Sequence, residues 1–192
     1  SDLQKIVELL LQLGAPVEAR DALDRTPLMY AAYRGREECA RCLLAAGGDA
    51  AAADRDGSSA LMYAAASGCR AVISTLVHGG GADLEQQNSD GFTAAAFAAE
   101  AGHVQALLLL LELGCDPGAP SANGSVPLHW AAKGNSPECC QLLLDAGVPA
   151  DIANHRGVTP LMFVATGAAG SAAGVGEGPG GGACGEIGRA HV

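Results

Sequence analysis

The sequence predicts an all-α fold, a solenoid of stacked helix-turn-helix units. Two observations carry this reading: a short motif that recurs every 33 or 34 residues, and two apolar helical faces within each recurrence. A chain of 192 residues would ordinarily form one or two compact domains. Self-similarity at a fixed period turns that length into a count of units instead.

The recurring segments are DRTPLMYAAYRG from Asp24, GSSALMYAAASG from Gly57, GFTAAAFAAEAG from Gly91, GSVPLHWAAKGN from Gly124 and GVTPLMFVATGA from Gly157. Thr26, Ser59, Thr93, Val126 and Thr159 follow one another at steps of 33, 34, 33 and 33 residues. The extra residue of the second step is expected in a loop at Gly79, Gly80 and Gly81. Each of the first four segments leads into a second apolar pattern at i, i+1, i+3 and i+4, one face of a helix. These are Cys39-Ala40-Cys42-Leu43, Val72-Ile73-Thr75-Leu76, Ala106-Leu107-Leu109-Leu110 and Cys139-Cys140-Leu142-Leu143. The same pattern stands alone at Ile6, Val7, Leu9 and Leu10, so the chain opens midway through a unit.

Punctuation agrees with this pairing. Gly14, Gly47, Gly81, Gly114 and Gly147 follow the second helices, where a left-handed residue ends a helix without a Cβ clash. Gly35, Gly68, Gly102 and the pair Gly134-Asn135 separate the two helices of a unit, and Asn tolerates the same geometry. In Thr26-Pro27-Leu28 and Thr159-Pro160-Leu161 the Thr caps the first helix, Pro takes the position where its missing N–H costs nothing, and Leu enters the core. Ala31-Ala32, Ala64-Ala65, Ala98-Ala99 and Ala131-Ala132 keep these helices slim enough for neighbouring units to approach.

A 33-residue period with Thr-Pro-Leu opening a helix resembles the ankyrin repeat, and the resemblance extends to about residue 168. It implies units joined by β-hairpin-like loops, with a partial repeat over 1–19 containing the second helix only, repeats over 20–53, 54–87, 88–120 and 121–153, and a partial repeat over 154–168. The sequence departs from the pattern at Asp24, in place of a turn glycine, and at Ser59-Ala60 and Thr93-Ala94, which lack proline. The family's histidine after Leu survives at His129, while Met29, Met62, Ala96 and Met162 replace it elsewhere. Because the resemblance makes that histidine a tie between repeats, weaker cross-repeat bonding is expected at the four replaced positions. From 169 to 192 glycine alternates with small residues and no helical face can be drawn, so a flexible tail is expected.

The formal charge of −10 and pI of 4.7 disfavour nucleic acid and anionic lipid as partners, since both need Lys and Arg to displace counterions. Between Arg70 and Lys133 there is no Lys or Arg, while Asp83, Glu85, Asp90, Glu100, Glu112 and Asp116 all fall there. The longest apolar run, Ala106 to Leu113, is far short of the roughly 20 residues of a membrane helix. Seven cysteines, four of them in amphipathic helical patterns, fit a reducing compartment, and an intracellular, cytoplasmic location is expected. Cys39 and Cys42 have a Cys-x-x-Cys spacing, but no second pair completes a four-ligand zinc site, so a structural role is expected. No phosphate loop, nucleophile elbow or His-Glu-x-x-His is present, and neither enzyme activity nor a cofactor is expected.

Two sets of candidate binding residues remain. Four positions after each Thr stands an aromatic, Tyr30, Tyr63, Phe97, Trp130 and Phe163, which the ankyrin resemblance places toward the concave side. These rings either fill space between first helices, the commoner fate of periodic aromatics, or expose their edges to a partner as anchors. The second set is the turn tips and first-helix ends that the family varies to recognise targets. It comprises Ala22, Leu23 and Arg25 with Tyr33 and Arg34; Arg55, Asp56 and Ser58 with Ala66 and Ser67; Ser89, Asp90 and Phe92 with Glu100; Ala122, Asn123 and Ser125 with Lys133; and His155 with Arg156. The first of these groups is basic and the third acidic, so a partner spanning them needs the reverse order of charge. The expected function is recognition or scaffolding of another protein by a module that is monomeric in isolation. The alternative is the regulatory or targeting segment of a larger enzyme, channel or ubiquitin-pathway protein.

Overall fold

The computed structural model describes residues 2–165. The flexible tail expected at 169–192 lies outside the described residues.

Among the described residues ten helices follow one another: α1 (Asp2–Gln12), α2 (Pro27–Tyr33), α3 (Glu37–Ala45), α4 (Ala60–Ala66), α5 (Arg70–Gly80), α6 (Ala94–Glu100), α7 (Val104–Glu112), α8 (Pro127–Lys133), α9 (Pro137–Asp145) and α10 (Pro160–Ala165). The even-numbered helices are first helices of their units and the odd-numbered ones second helices. First helices pack in series, α2 on α4, α4 on α6, α6 on α8 and α8 on α10. Second helices form a parallel series from α1 to α9, and each first helix from α2 to α8 also packs on the second helix of its own unit. The loops are hairpin-like but carry no strand among the described residues, only an isolated antiparallel bridge between Ala53 and Ser59.

Local geometry follows the sequence closely at the helix ends. Gly14, Gly47, Gly81, Gly114 and Gly147 all have positive φ. Asp24 (φ 62°) and Asn135 (φ 54°) take the left-handed conformation in place of glycine. Gly134 beside Asn135 is required for a different reason, because a Cβ there would lie 2.1 Å from the Glu100 carbonyl oxygen. The loop expected at Gly79–Gly81 is a correction: α5 runs on through Gly80 and ends at Gly81, so the extra residue lengthens the helix. A Cβ on Gly80 would meet Leu44 and Ala50 at 2.9 Å, so the added length fits only because this residue is glycine.

Thr26 caps α2 through a bond from the Met29 N–H to its hydroxyl (3.4 Å). Ser59 and Thr93 occupy the same position in extended backbone, yet make no side-chain cap, and their hydroxyls are buried without a partner. His129 ties repeats as the resemblance implies. Its Nδ1 accepts the Val126 N–H (3.2 Å), which leaves the proton on Nε2 to donate to the Val158 carbonyl of the next unit (3.0 Å). Met29 receives the Thr26 N–H at its sulfur (3.4 Å) and offers no donor to a neighbour.

Burial lowers the His129 pKa below the ordinary 6.5, its bonds to Val158 and Val126 opposing the shift without cancelling it. As pH falls through the ordinary histidine value, the unfolded chain gains a proton that folded His129 resists. Stability is therefore lost as pH drops from that value toward the folded pKa. Urea unfolding midpoints should fall across this window, and His129→Gln should flatten the fall. An unchanged slope in the variant would remove His129 from the account.

Candidate functional site

Four of the five tips are built on one side chain that the sequence reading overlooked. Asp21 Oδ1 accepts the backbone N–H groups of Leu23 (2.8 Å) and Arg25 (2.9 Å). Asp54 does the same for Asp56 (3.0 Å) and Ser58 (2.8 Å), Asn88 for Asp90 (3.1 Å) and Phe92 (2.9 Å), and Asn154 for Arg156 and Val158 (both 3.0 Å). In the fourth tip Ser121 holds this place and the task is shared: Asn123 Oδ1 accepts the Ser125 N–H (2.9 Å) while the Ser121 hydroxyl bonds the Ser125 carbonyl (2.8 Å). Such bonds mimic a backbone turn and fix its shape. The signal was available, because these residues recur at the same steps as the Thr positions.

Successive tips are also bonded to each other. The N–H groups of Arg55, Ser89, Ala122 and His155 donate to the carbonyls of Leu23, Asp56, Asp90 and Asn123 at 2.9–3.0 Å. This series runs along the edge of the stack and sets adjacent tips in register. It explains why glycine stands at the tips: a Cβ on Gly91 would lie 2.5 Å from the Ala122 nitrogen of the following tip.

The first helices are far less available than expected. Every residue of α4, α6 and α8 is buried except the last of each, Ala66, Glu100 and Lys133, which are half-buried. A first helix inside the stack is flanked by two others and backed by its second helix, and its short alanines leave nothing to protrude. Of the two readings of the aromatic positions, packing between units holds at four of the five, and the exposed anchors considered at Tyr63, Phe97 and Trp130 are corrected. Tyr63, Phe97, Trp130 and Phe163 are core residues, and Phe92 at the third tip is buried with them. Their edge-to-face contacts run Phe97–Phe92 (6.4 Å), Phe92–Trp130 (4.9 Å) and Trp130–Phe163 (5.6 Å), so the rings bind unit to unit. Tyr30 is the exposed member of the series.

A family model described as ankyrin repeats, in three copies, matches residues 1–88 and 95–172. The chain belongs to the ankyrin-repeat family. No curated protein matches it.

Within this ankyrin array the remaining candidates separate by environment. Arg34, Arg55, Asp90, His155 and Arg156 are exposed, and Tyr33, Asp56 and Asn123 are half-buried. Tyr33 packs edge-on against Tyr63 (6.3 Å) beneath the Arg34 guanidinium, and Arg55 bonds the Ala22 carbonyl of the preceding tip. Asn123 spends its side-chain oxygen on its own turn. Glu100 and Lys133, proposed from different repeats as separate charges, pair with each other at 3.1 Å. At the first tip Asp21 binds Arg25 Nε (2.7 Å) and the Tyr30 hydroxyl (2.8 Å). Burial acts to raise the Asp21 pKa, but the bonds from Arg25, Tyr30 and Leu23 prevail and hold it well below the ordinary carboxylate range. Arg25 is thereby neutralised, and the basic character of this end rests on Arg34, Arg36 and Arg55.

The thiols have structural surroundings. Burial, with the charges of Glu85 and Asp116, pushes the Cys115 pKa up to about 12, and burial raises Cys139 and Cys140 as well. A raised pKa withholds the thiolate that reactive cysteines require. No helix of the described residues is long and apolar enough to cross a membrane.

Proposed function

We propose that this array, ankyrin repeats being in general protein-protein interaction modules, recognises another protein through its row of tips and the C-terminal ends of its first helices. One observation carries the reading: charged side chains stand on tips fixed by internal bonds and bonded to one another. Such a surface binds with little ordering cost. Its charge order runs from Arg34 and Arg55 at one end, through Asp90, to Arg156 at the other. The partner that fits is a protein segment crossing several tips, acidic against the Arg34–Arg55 end and basic against Asp90. The unpaired, partly buried thiols support a reducing intracellular setting.

The test places a photo-crosslinking residue at Ser89, on a tip, or at Gln141, on the exposed side of α9. Capture of a protein from Ser89 and not from Gln141 supports the reading. Reversing charge with Arg34→Glu and Arg55→Glu should then weaken binding by about tenfold at low salt and less at high salt. Equal capture from both positions, or binding unaffected by the reversals, would overturn it.

A further inference from the structure

The turns between first and second helices form an edge of their own, at the other end of the first helices from the tips. A Cβ on Gly35 would overlap Cys69 Sγ, and one on Gly68 would lie 2.8 Å from the His103 ring, so each turn seats on the next. Arg34 and Arg36 flank Gly35, and Arg70 follows Cys69, which gathers three guanidinium groups around one contact. We infer that this edge of the first two full units is a docking surface for an acidic segment of a partner protein. The surface stands apart from the tips and does not depend on their binding anything.

The charge here runs against the rest of the chain. Its net charge is −10, yet Arg34, Arg36 and Arg70 stand together with no ion pair among the described residues. Arg34 and Arg70 are exposed; the first lies over the Tyr33 ring, and the second reaches only the neutral Gln105 side chain at 3.5 Å. Glu37 and Glu38, which follow Arg36, are held by Arg41 at 2.6 and 2.9 Å. The fold gains nothing from Arg70. It is the first residue of α5, at the end of a helix where the dipole favours an anion, and α3 and α9 place Glu37, Glu38 and Glu138 in their first turns. A cation that opposes its own helix, with no carboxylate beside it, is suited to an anion from outside.

The number of arginines selects among anions. Membrane surfaces are held by clusters of about four to eight basic residues, and duplex DNA by on the order of six to ten phosphate contacts. Beyond Arg70 no Lys or Arg occurs before Lys133, which Glu100 engages, so the patch cannot widen to those sizes. Two or three carboxylates on a peptide match it. A guanidinium takes a carboxylate through two parallel N–H bonds, a geometry that lysine lacks. Packed helices lie about 8–10 Å apart, so acidic side chains roughly three residues apart in an extended segment would meet Arg34 and Arg70 together.

Fluorescence anisotropy of a short labelled oligoglutamate with the full chain at low salt tests this surface. The parent should bind it, Arg70→Glu should weaken binding by about tenfold, and Arg34→Glu with Arg70→Glu should abolish it. Arg70→Glu should keep or raise the melting temperature, because glutamate suits the first turn of α5, so a loss of binding is separated from a loss of fold. Arg34→Gln with Arg70→Gln serves if the double reversal unfolds. A parent that does not bind, or binding that survives the reversals, overturns the proposal. Binding that falls with Arg55→Glu and not with Arg70→Glu places the acidic contact at the tips, which overturns the turn edge and leaves the tip reading standing. Phosphatidylserine vesicles or a single-stranded oligonucleotide bound as tightly as oligoglutamate, and released by the same variants, would overturn the choice of a protein segment.

Discussion

Trp130→Ala should destabilise the array by roughly 3–5 kcal/mol and lower its melting temperature by about 10 °C. The ring is fully buried between two units, edge-on to Phe92 at 4.9 Å and to Phe163 at 5.6 Å, with the Lys133 ammonium 5.3 Å from its centre. In a stack whose stability is a sum of unit and neighbour contributions, such a loss falls on the junctions that hold α8 to its neighbours. Trp130→Phe separates two contributions. It leaves a smaller cavity and removes the indole N–H, which is buried without a hydrogen-bond partner and so carries a desolvation penalty of about 1–3 kcal/mol. Since Phe97 and Phe163 fill the same position in adjacent units, the phenylalanine variant should recover most of the lost stability. Thermal unfolding followed by circular dichroism checks both. An alanine variant as stable as the parent would mean that the ring does not join the units.

The same residue shows where the sequence was informative and where it was not. Period, pairing of helices and helix ends were legible because they depend on local chemistry: Thr26 and Pro27 start α2, and Gly47 ends α3, wherever they occur. The aromatic position was legible as a position. Packing between units was the commoner of its two readings, but the contacts that bury Trp130, with Phe92 from the preceding tip and Phe163 from the following unit, are not contained in a pattern along the chain. For the same reason Glu100 and Lys133 read as two charges of a surface when they neutralise each other. The extension of α5 through Gly80 was hidden by the usual association of glycine runs with loops. There the absence of a side chain serves the close approach of Leu44 rather than flexibility.

The tip residues Asp21, Asp54, Asn88, Ser121 and Asn154 went unread although they share the period, and they explain a choice within the aromatic series. Tyrosine stands opposite aspartate, as Tyr30 with Asp21 and Tyr63 with Asp54, whereas phenylalanine stands opposite asparagine, as Phe97 with Asn88 and Phe163 with Asn154. A tip side chain uses one oxygen on its two turn N–H groups. In aspartate the second oxygen can take the phenol's proton, as Asp54 Oδ2 takes that of Tyr63 at 2.6 Å. In asparagine the second atom is a nitrogen that can only donate, and Asn154 gives its hydrogen to Ser125 Oγ of the preceding tip (3.1 Å).

Asp54→Ala should therefore cost at least about 3 kcal/mol, since it strands two N–H groups and a buried hydroxyl together. Asp54→Asn keeps the turn and strands only the phenol, for about 1–2 kcal/mol, and Tyr63→Phe leaves a buried carboxylate oxygen unpaired at a similar cost. The double variant Asp54→Asn with Tyr63→Phe recreates the pairing of the third and fifth tips, so it should be more stable than the sum of the single losses by about 1–3 kcal/mol. Urea unfolding of the four proteins measures that coupling. A value near zero would mean that the hydroxyl and carboxylate do not depend on each other, and the matching of tip to ring along the chain would need another cause.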